Sequence, residues 1–335
     1  MSKKITILDI AKKANVSSAT VSRIINNTAN VNSEKRKKVL EVIKEYNFKP
    51  NEIAKSLQSS KSNIVGFIVP HINSPYYAKV FYETELIAQR QGYTLMLCNS
   101  ESDKRLESDI LNAFILTNVR AIVFMGGRLD DIECDEKYRT EIEEINKKVP
   151  VISCVDVPDL ACIQVYHEQQ KSSIELLEHL SGLGYKDVAL MGGYSNIRTT
   201  MNRRKDIIDQ ADKYGVSIRS EIIDSDYSVE GGNIAMKRML RNGELPQAII
   251  CINDLVAIGA LSEAHKNNMQ VPKDIAIVGY DNLDISAFIH PGVTTIASNF
   301  KDYSKAIVHA IQHVDDIIPN ERIAIQTDLI IRGTT

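Results

Sequence analysis

The amino-acid sequence predicts two unlike parts, an all-α head of about sixty residues and a longer α/β body built from two parallel-sheet subdomains. Three observations lead to this prediction. Basic residues concentrate before residue 63, apolar residues in that stretch recur at helical spacing, and the rest of the chain alternates apolar runs with helix-length segments. A chain of 335 residues is long enough for two or three domains with cores of their own.

The charge distribution separates the two parts. The whole chain carries a formal net charge of −3, yet residues 1–62 hold 13 basic and five acidic side chains, so the remainder is strongly acidic. A basic block ahead of an acidic body is typical of a nucleic-acid-binding domain, because phosphate contacts need Lys and Arg. A solvated basic tail is the alternative at this point.

The composition excludes several classes of protein. The hydrophobic share of 44% and the charged share of 25% are ordinary for a globular protein. No apolar run approaches the ~18 residues of a membrane-spanning helix, and Asp9 interrupts the N-terminus before a signal-peptide core can develop. We therefore expect a soluble, cytosolic protein. Five cysteines without a C-x-x-C pair indicate reduced thiols rather than a disulfide framework or a zinc site.

Two short helices open the head. Thr6 and Asp9 form a capping-box-like pair, with Asp where Glu or Gln is usual, and start a helix over roughly 6–13. Ser17 can cap a second helix over 18–26, whose apolar residues share one face. A second helix that presents short polar side chains and an Arg is what reading a DNA major groove requires.

A third helix and a linker complete the head. Ser33 opens this helix, which is expected to end at Asn47. Its contribution to the three-helix core is predicted to be Val39, Val42, Ile43 and Tyr46. A further short helical stretch at 51–58 and the polar segment 59–62 lead to the body.

The body reads as a succession of strands and helices. Helix-length segments follow each of the apolar runs at 64–69, 93–98, 121–125, 151–155, 188–191, 248–252 and 275–278. In open parallel sheets, ligands sit at the carboxyl ends of the strands. A crevice between two halves is therefore expected to be lined by the loops at 70–77, 99–103, 126–128, 192–203, 253–254 and 280–282.

Several segments carry a family resemblance. Residues 6–23 read TILDIAKKANVSSATVSR and residues 46–57 read YNFKPNEIAKSL. The first resembles the DNA-binding head of the LacI/GalR family of regulators, and the second is similar to the hinge helix of that family. The similarity continues through the body in NSPYY at 73–77, GYTLMLCN at 92–99, GYD at 279–281, HPGVTTI at 290–296 and LIIR at 329–332.

The resemblance implies a domain organisation. A helix-turn-helix DNA-binding domain is expected at 1–49, a hinge helix with linker at 50–60, and an effector-binding and dimerisation domain at 61–335. This last domain should have a periplasmic-binding-protein-like fold of two subdomains. The first subdomain is expected at about 61–160 plus 291–320, and the second at about 161–290 plus 321–335.

The resemblance also implies which head residues contact DNA. Ser18, Ala19 and Arg23 match base-reading positions, and an Arg can hold a guanine bidentately. Positions that hold the phosphate backbone are matched by Thr6, Ser17, Thr20, Ser22 and Asn26. On the hinge, Leu57 matches the residue that the family wedges into the minor groove, and Lys55 is counted with it as a DNA contact. An ordinary apolar hinge contact is the alternative for Leu57.

In the body, the resemblance implies that a small-molecule effector binds between the subdomains. The expected effector-binding residues are Tyr76, Tyr77, Arg203, Asn253, Asp254 and Asp281. Aromatic rings can stack on a sugar or a base, while carboxylate and amide groups can hold hydroxyls. A loop cap or an interdomain salt bridge is the alternative for the polar members.

Two pairs depart from the family pattern on the effector side. Tyr166-His167 stands where the family has Asp-Asn, and Asp206-Ile207 stands where it has Gly followed by an aromatic residue. We expect His167 to supply a nitrogen that titrates near neutral pH and Asp206 to add a charge near Arg203. These changes favour a modified or phosphorylated sugar, or another polar metabolite, over a plain hexose.

The sequence therefore predicts a sequence-specific DNA-binding transcriptional regulator. It is expected to bind a pseudo-palindromic operator as a homodimer and to repress transcription under the control of a sugar-related effector. No membrane partner, cofactor or catalytic activity is expected. The sequence has no G-x-G-x-x-G, P-loop, G-x-S-x-G or H-E-x-x-H motif. His309 and His313 have metal-ligand spacing, but no third ligand follows at a recognisable distance. A solute- or sugar-binding protein without a DNA function is the alternative.

Overall fold

The structure, a computed structural model, describes residues 5–26, 32–46, 62–316 and 320–335. The chain divides into two compact units, Met1–Ser62 and Asn63–Thr335. The hinge helix expected at 50–60, with its DNA-contacting residues Lys55 and Leu57, lies outside the described residues.

The head contains the helices α1 (Ile7–Lys13), α2 (Ser18–Asn26) and α3 (Ser33–Glu45). The predicted capping box is confirmed, because the Asp9 amide donates to the Thr6 hydroxyl at 3.3 Å and the Thr6 amide donates to the Asp9 carboxylate at 2.9 Å. The buried core of the three helices consists of Ile10, Ala11, Ala14, Val21, Ile24 and Val39.

Tyr46 does not belong to this core, contrary to expectation. Its side chain is 37% exposed, and its hydroxyl accepts a hydrogen bond from Lys13 Nζ at 2.9 Å. The ammonium also lies 4.4 Å from the centre of the ring. A phenol has both an apolar body and a polar tip, so it can cap the edge of the core while its hydroxyl stays accessible.

The body alternates strands and helices as predicted. In chain order, its strands are β1 (Ile64–Val69), β2 (Thr94–Asn99), β3 (Ala121–Phe124), β4 (Val151–Ser153), β5 (Ile163–Glu168), β6 (Asp187–Met191), β7 (Ser217–Ile218), β8 (Ala248–Cys251), β9 (Ala276–Asp281), β10 (Thr294–Ala297), β11 (Arg322–Gln326) and β12 (Asp328–Ile330). Its helices are α4 (Pro75–Arg90), α5 (Lys104–Leu116), α6 (Glu136–Asn146), α7 (Gln170–Gly182), α8 (Arg198–Ala211), α9 (Val229–Asn242), α10 (Asp254–Lys266), α11 (Asp284–Phe288) and α12 (Phe300–His313).

These strands form two six-stranded sheets. The first has the order β11-β5-β4-β3-β1-β2 and the second the order β12-β10-β9-β8-β6-β7. Neighbouring strands run parallel except for β12, which pairs antiparallel with β10. Helices cover the two sheets. The hydrophobic cores between helices and sheets are rich in Val, Ile and Leu, as expected for parallel strands buried on both faces.

The pairing corrects the expected bounds of the subdomains. Strand β5 lies in the first sheet although residues 161–290 were assigned to the second subdomain, and β10 lies in the second sheet although 291–320 were assigned to the first. Strand β11 likewise pairs with β5, so the chain crosses between subdomains near residues 169, 298 and 327. The reason is packing, because Ile163 and Val165 are buried in the core that covers the first sheet.

No helix in the described ranges is long and apolar enough to cross a membrane.

Candidate DNA-reading helix and effector crevice

Helix α2 presents a polar face. Ser18, Ala19 and Arg23 are exposed, whereas Val21 and Ile24 on the opposite side are buried in the head. Positions one turn apart share a face, so the three exposed residues form one surface. The predicted base-reading residues therefore lie where a DNA groove could receive them.

The hydroxyl groups of the head also hold its helices. The Thr6 hydroxyl donates to the Asp9 carboxylate at 2.7 Å. Ser17 caps α2 as predicted, because its hydroxyl accepts from the Thr20 amide at 3.2 Å and lies 2.9 Å from the Thr20 hydroxyl. Ser22 is half-buried on α2, and Asn26 ends that helix. The phosphate contacts assigned to these residues remain predictions.

In the body, polar and aromatic residues gather between the subdomains. Tyr76 and Tyr77 begin α4 beyond β1, His167 lies near the end of β5, Arg203 lies on α8 beyond β6, and Asp281 ends β9. The carboxyl ends of parallel strands meet at one edge of a sheet, and here the edges of two sheets face each other. The structure therefore brings these residues together, from both subdomains, at the place where the sequence predicts a crevice.

Arg203 is the centre of the polar network on the second subdomain. Its Nη2 lies 3.0 Å from the Asp281 carboxylate, its Nη1 donates to the Ile252 carbonyl at 2.7 Å, and its guanidinium lies 3.6 Å from the centre of the Tyr280 ring. Burial lowers the pKa of the Arg203 guanidinium, but the interactions with Asp281, Tyr280 and Tyr76 together outweigh burial, so the pKa is raised. The Ser298 hydroxyl donates to Asp281 at 3.1 Å, so the carboxylate is also held from the crossover segment.

His167 and Tyr76 face this network from the first subdomain. The Tyr76 hydroxyl lies 3.3 Å from His167 Nε2, and the His167 ring stacks on Tyr303 at 4.2 Å. Two buried nitrogens, His167 Nδ1 and Arg203 Nε, have no hydrogen-bond partner among the described residues. Since buried polar atoms are usually paired, these two nitrogens are free to meet a ligand.

The expectation that His167 titrates near neutral pH is wrong. Burial, together with the positive charge of Arg203, lowers the pKa of His167 to about 3, so the ring is neutral. Neighbouring residues of a strand point to opposite faces, and Tyr166 accordingly packs under the guanidinium of Arg322, 5.1 Å away. Burial and the nearby Glu168 raise the pKa of Asp206 to about 6.

Asn253 and Asp254 hold the frame of the crevice. The Asn253 amide oxygen accepts from the Val256 amide at 2.8 Å as the cap of α10, and its nitrogen donates to the Tyr227 carbonyl at 2.9 Å. The Asp254 carboxylate accepts from the Leu283 amide at 2.7 Å and from the Thr295 hydroxyl at 2.6 Å, with no exposed surface. The geometry favours the loop-cap alternative for both residues.

Three residues of this region, Asp130, Tyr227 and Phe300, lie outside the loops and site residues that the sequence predicts. The Asp130 carboxylate reaches from the first subdomain to Thr199 at the start of α8. The Tyr227 hydroxyl lies 2.8 Å from the Thr200 hydroxyl, and the Phe300 ring lies 5.6 Å from Tyr76. Asp130 follows the predicted crevice loop 126–128 by two residues, so extending that loop to the next helix would have found it.

Comparisons with known proteins agree with this geometry. Residues 6–51 match the model of bacterial regulatory proteins of the lacI family, and residues 177–335 match that of a periplasmic binding protein-like domain. Catabolite control protein A of Priestia megaterium is 31% identical over 304 residues, 89% of each chain. The chain belongs to the lacI family of bacterial regulatory proteins.

A second relative and a solved structure are similar to this LacI-family chain over most of its length. The transcriptional repressor PurR of Glaesserella parasuis serovar 5 is 32% identical over 294 residues, 87% of this chain and 84% of that protein. The solved structure of the Lac repressor dimer bound to operator and the anti-inducer ONPF covers 99% of both chains with a TM-score of 0.89. At 22% identity, this last likeness shows a shared fold.

Proposed function

We propose that this LacI-family regulator is a cytoplasmic repressor that binds a pseudo-palindromic operator as a homodimer and responds to a small-molecule effector. The observation that carries the proposal is the exposed Ser18-Ala19-Arg23 face of α2 in a basic head, joined to a body with a polar crevice. A solute-binding protein has no use for such a face. The relative named as a transcriptional repressor, PurR of Glaesserella parasuis, supports the same conclusion.

The head should read few bases directly. Arg23 can donate two parallel hydrogen bonds to a guanine, and the Ala19 methyl can contact the methyl group of a thymine. Ser18 is too short to reach far, so much of the affinity must come from phosphate contacts and from the hinge around Lys55 and Leu57. Each half-site should therefore contain a guanine as its most restrictive position.

An exposed apolar cluster supports the homodimer. Phe288 is 84% exposed and Ile285 is 47% exposed on α11, and Ile331, which follows β12, is 56% exposed. Arg332 ties this segment to α11, because its guanidinium donates to the Ser286 hydroxyl at 3.4 Å. Large apolar side chains gathered on a surface mark interaction sites, so we place a subunit contact here. Replacing Phe288 with Asp should shift the protein from dimer to monomer in sedimentation.

The effector should be polar and close to neutral. Asp281 already balances the charge of Arg203, and His167 is neutral, so these three described residues together offer no net positive charge to hold a phosphate. Tyr76 and Tyr77 offer ring faces and hydroxyls, while Arg203, Asp281 and the free His167 nitrogen offer hydrogen bonds. We assign direct contacts to these residues and the framing of the crevice to Asn253 and Asp254.

Two experiments test the proposal. Selection of random duplexes by the purified chain should enrich a pseudo-palindrome with a guanine in each half-site, and enrichment of no sequence would favour the solute-binding alternative. A thermal-shift panel of sugars, sugar phosphates and nucleosides tests the effector class, since a ligand at 100 times its dissociation constant adds ~2.7 kcal/mol. Stabilisation by phosphorylated compounds alone would refute the neutral ligand.

A further inference from the structure

A loop of the first subdomain is bonded to the start of α8 on the second. In the segment 126–132, the Asp130 carbonyl accepts from the Arg198 amide at 2.6 Å, and the Ile132 amide donates to the Asn196 carbonyl at 2.9 Å. These bonds flank an antiparallel bridge between Asp131 and Ile197. They connect the subdomains independently of the three crossover segments.

Side chains reinforce this connection. One oxygen of the Asp130 carboxylate accepts from the Thr199 amide at 2.8 Å and from the Thr199 hydroxyl at 2.7 Å. The Arg198 guanidinium reaches back to the Asp131 carbonyl at 3.2 Å. Asp130 is only 9% exposed, and its charge acts on Tyr77 and Tyr227, so it lies at the wall of the crevice. The connection therefore lies beside Tyr77, one of the expected effector-binding residues.

The loop is held rigidly from behind. Arg128 is fully buried, with its Nε 2.7 Å from the buried Glu107 carboxylate and its Nη1 2.6 Å from Glu141. Gly126 and Gly127 have φ values of +60° and +59°, which favour glycine. A Cβ on Gly126 would lie 3.0 Å from the Tyr77 hydroxyl. Burying these charges costs desolvation free energy that is offset only when each charge keeps its partner. The ion pairs therefore hold the loop in this one position.

We propose that loop 126–132 is a latch that holds the crevice closed, and that Asp130 is the positioning residue that fastens it to Thr199. The inference rests on the proposed function, because it assigns a gate to the effector site. A ligand enters or leaves only when these bonds break, so the latch sets the fraction of open protein and hence the exchange rate.

A disulfide staple tests the latch directly. Asp131 and Ile197 form a non-hydrogen-bonded antiparallel pair, whose spacing suits a disulfide. The staple D131C/I197C is made in the full chain, with Cys134→Ser to remove a neighbouring thiol. Phe300→Trp adds a fluorescent reporter beside Tyr76. Because the natural sequence contains no Trp, all tryptophan fluorescence then comes from this position. Acrylamide, a small neutral solute, serves as the probe of access to the crevice.

The expected result is reversible protection. Oxidation should form the disulfide of D131C/I197C in the absence of DNA and effector. The disulfide should lower the acrylamide quenching constant about twofold or more, and reduction with dithiothreitol should restore the original constant. Thiols that stay free, or a closed staple that leaves quenching unchanged, would overturn the latch. Neither measurement involves DNA or effector, so failure here leaves the duplex selection to decide the proposed function separately.

A matched pair of substitutions keeps the test independent of the reporter. Asp130→Asn retains an oxygen that can accept from Thr199, whereas Asp130→Leu has a similar size and no acceptor. Hydrogen exchange of the Arg198 and Ile132 amides should accelerate about tenfold in Asp130→Leu and stay near wild type in Asp130→Asn. Equal exchange in the two variants would show that the carboxylate does not fasten the loop.

Discussion

The guanidinium of Arg203 and the carboxylate of Asp281 are paired at 3.0 Å across the floor of the crevice, with side-chain exposures of 13% and 5%. The partners come from α8 and from the end of β9, 78 residues apart. A buried ion pair of this kind contributes little net stability, because desolvation offsets the attraction. Its larger consequence is that neither charge can be removed alone without leaving the other buried and unpaired.

A double-mutant cycle should show this coupling. We expect Arg203→Met and Asp281→Asn each to destabilise the chain by ~3 kcal/mol, and the double variant to recover ~1–3 kcal/mol of the summed loss. Urea unfolding followed by circular dichroism measures the cycle. The exposed pair Lys205–Asp209 on the same helix serves as the control and should show much weaker coupling. Additive losses at Arg203 and Asp281 would contradict the arrangement.

Arg23 should determine sequence preference rather than general affinity for DNA. Replacing Arg23 with Ala removes a bidentate base contact, so we expect a loss of ~1–3 kcal/mol on the selected operator and a much smaller loss on random duplex. Fluorescence anisotropy with both duplexes measures the difference. Lys12 is exposed on α1 and serves as a comparison, since losing a phosphate contact should weaken both duplexes alike. Equal losses on both duplexes for Arg23→Ala would remove it from base reading.

The packing of α9 against α10 should be intolerant of a single methyl group. A Cβ on Gly259 would clash with the Val229 carbonyl oxygen and lie 2.7 Å from the Asn233 amide nitrogen. We expect Gly259→Ala to destabilise the body by ~1–3 kcal/mol or more. Gly182→Ala, on α7 with nothing near its Cβ, should be neutral or stabilising by ~0.5–1 kcal/mol. Thermal unfolding of the two variants compares them, and matching midpoints would contradict the packing.

Asp254 should make stability fall as pH rises. Burial raises its pKa from 3.8 to about 7. Between these values the folded chain binds a proton that the unfolded chain has released, so the free energy of unfolding decreases by up to ~1.4 kcal/mol per pH unit and levels off above about pH 7. Asp254→Asn cannot ionise and should lack this slope.

Urea unfolding at intervals from pH 5 to pH 8 measures the difference between wild type and Asp254→Asn, with the exposed Asp302→Asn as control. Parallel curves for wild type and Asp254→Asn would show that the carboxyl group is not buried as described.

Local sequence patterns predict where helices and strands lie better than they predict which strands pair. Helix α2 spans the predicted 18–26 and β1 the predicted 64–69, because helical periodicity and apolar runs act over a few residues. Strand β5 was missed, since its end at Tyr166-His167-Glu168 is polar. Its place in the first sheet depends on pairing with β11, more than 150 residues away. Such long-range pairing leaves no local pattern.

The candidate site divides in the same way. Arg203 and Asp281 were predicted through the family resemblance, and the structure brings them together. Asp130 was not predicted, because its role depends on a hydrogen bond from Thr199, which lies 69 residues further along the chain. The sequence singles out His167 as a departure from the family pattern, but its neutral state follows from burial beside Arg203, which spacing in a sequence does not reveal. Chemistry set by neighbours in space requires the fold.

The most direct test of the central claim is the affinity of the full chain for its selected duplex and for a scrambled duplex across a range of KCl concentrations. The account predicts that both affinities fall steeply with salt, because the basic head releases counterions from phosphates, and that the selected duplex binds ~10³-fold more tightly or better at each concentration. Equal affinity for the two duplexes, with little dependence on salt, would contradict it.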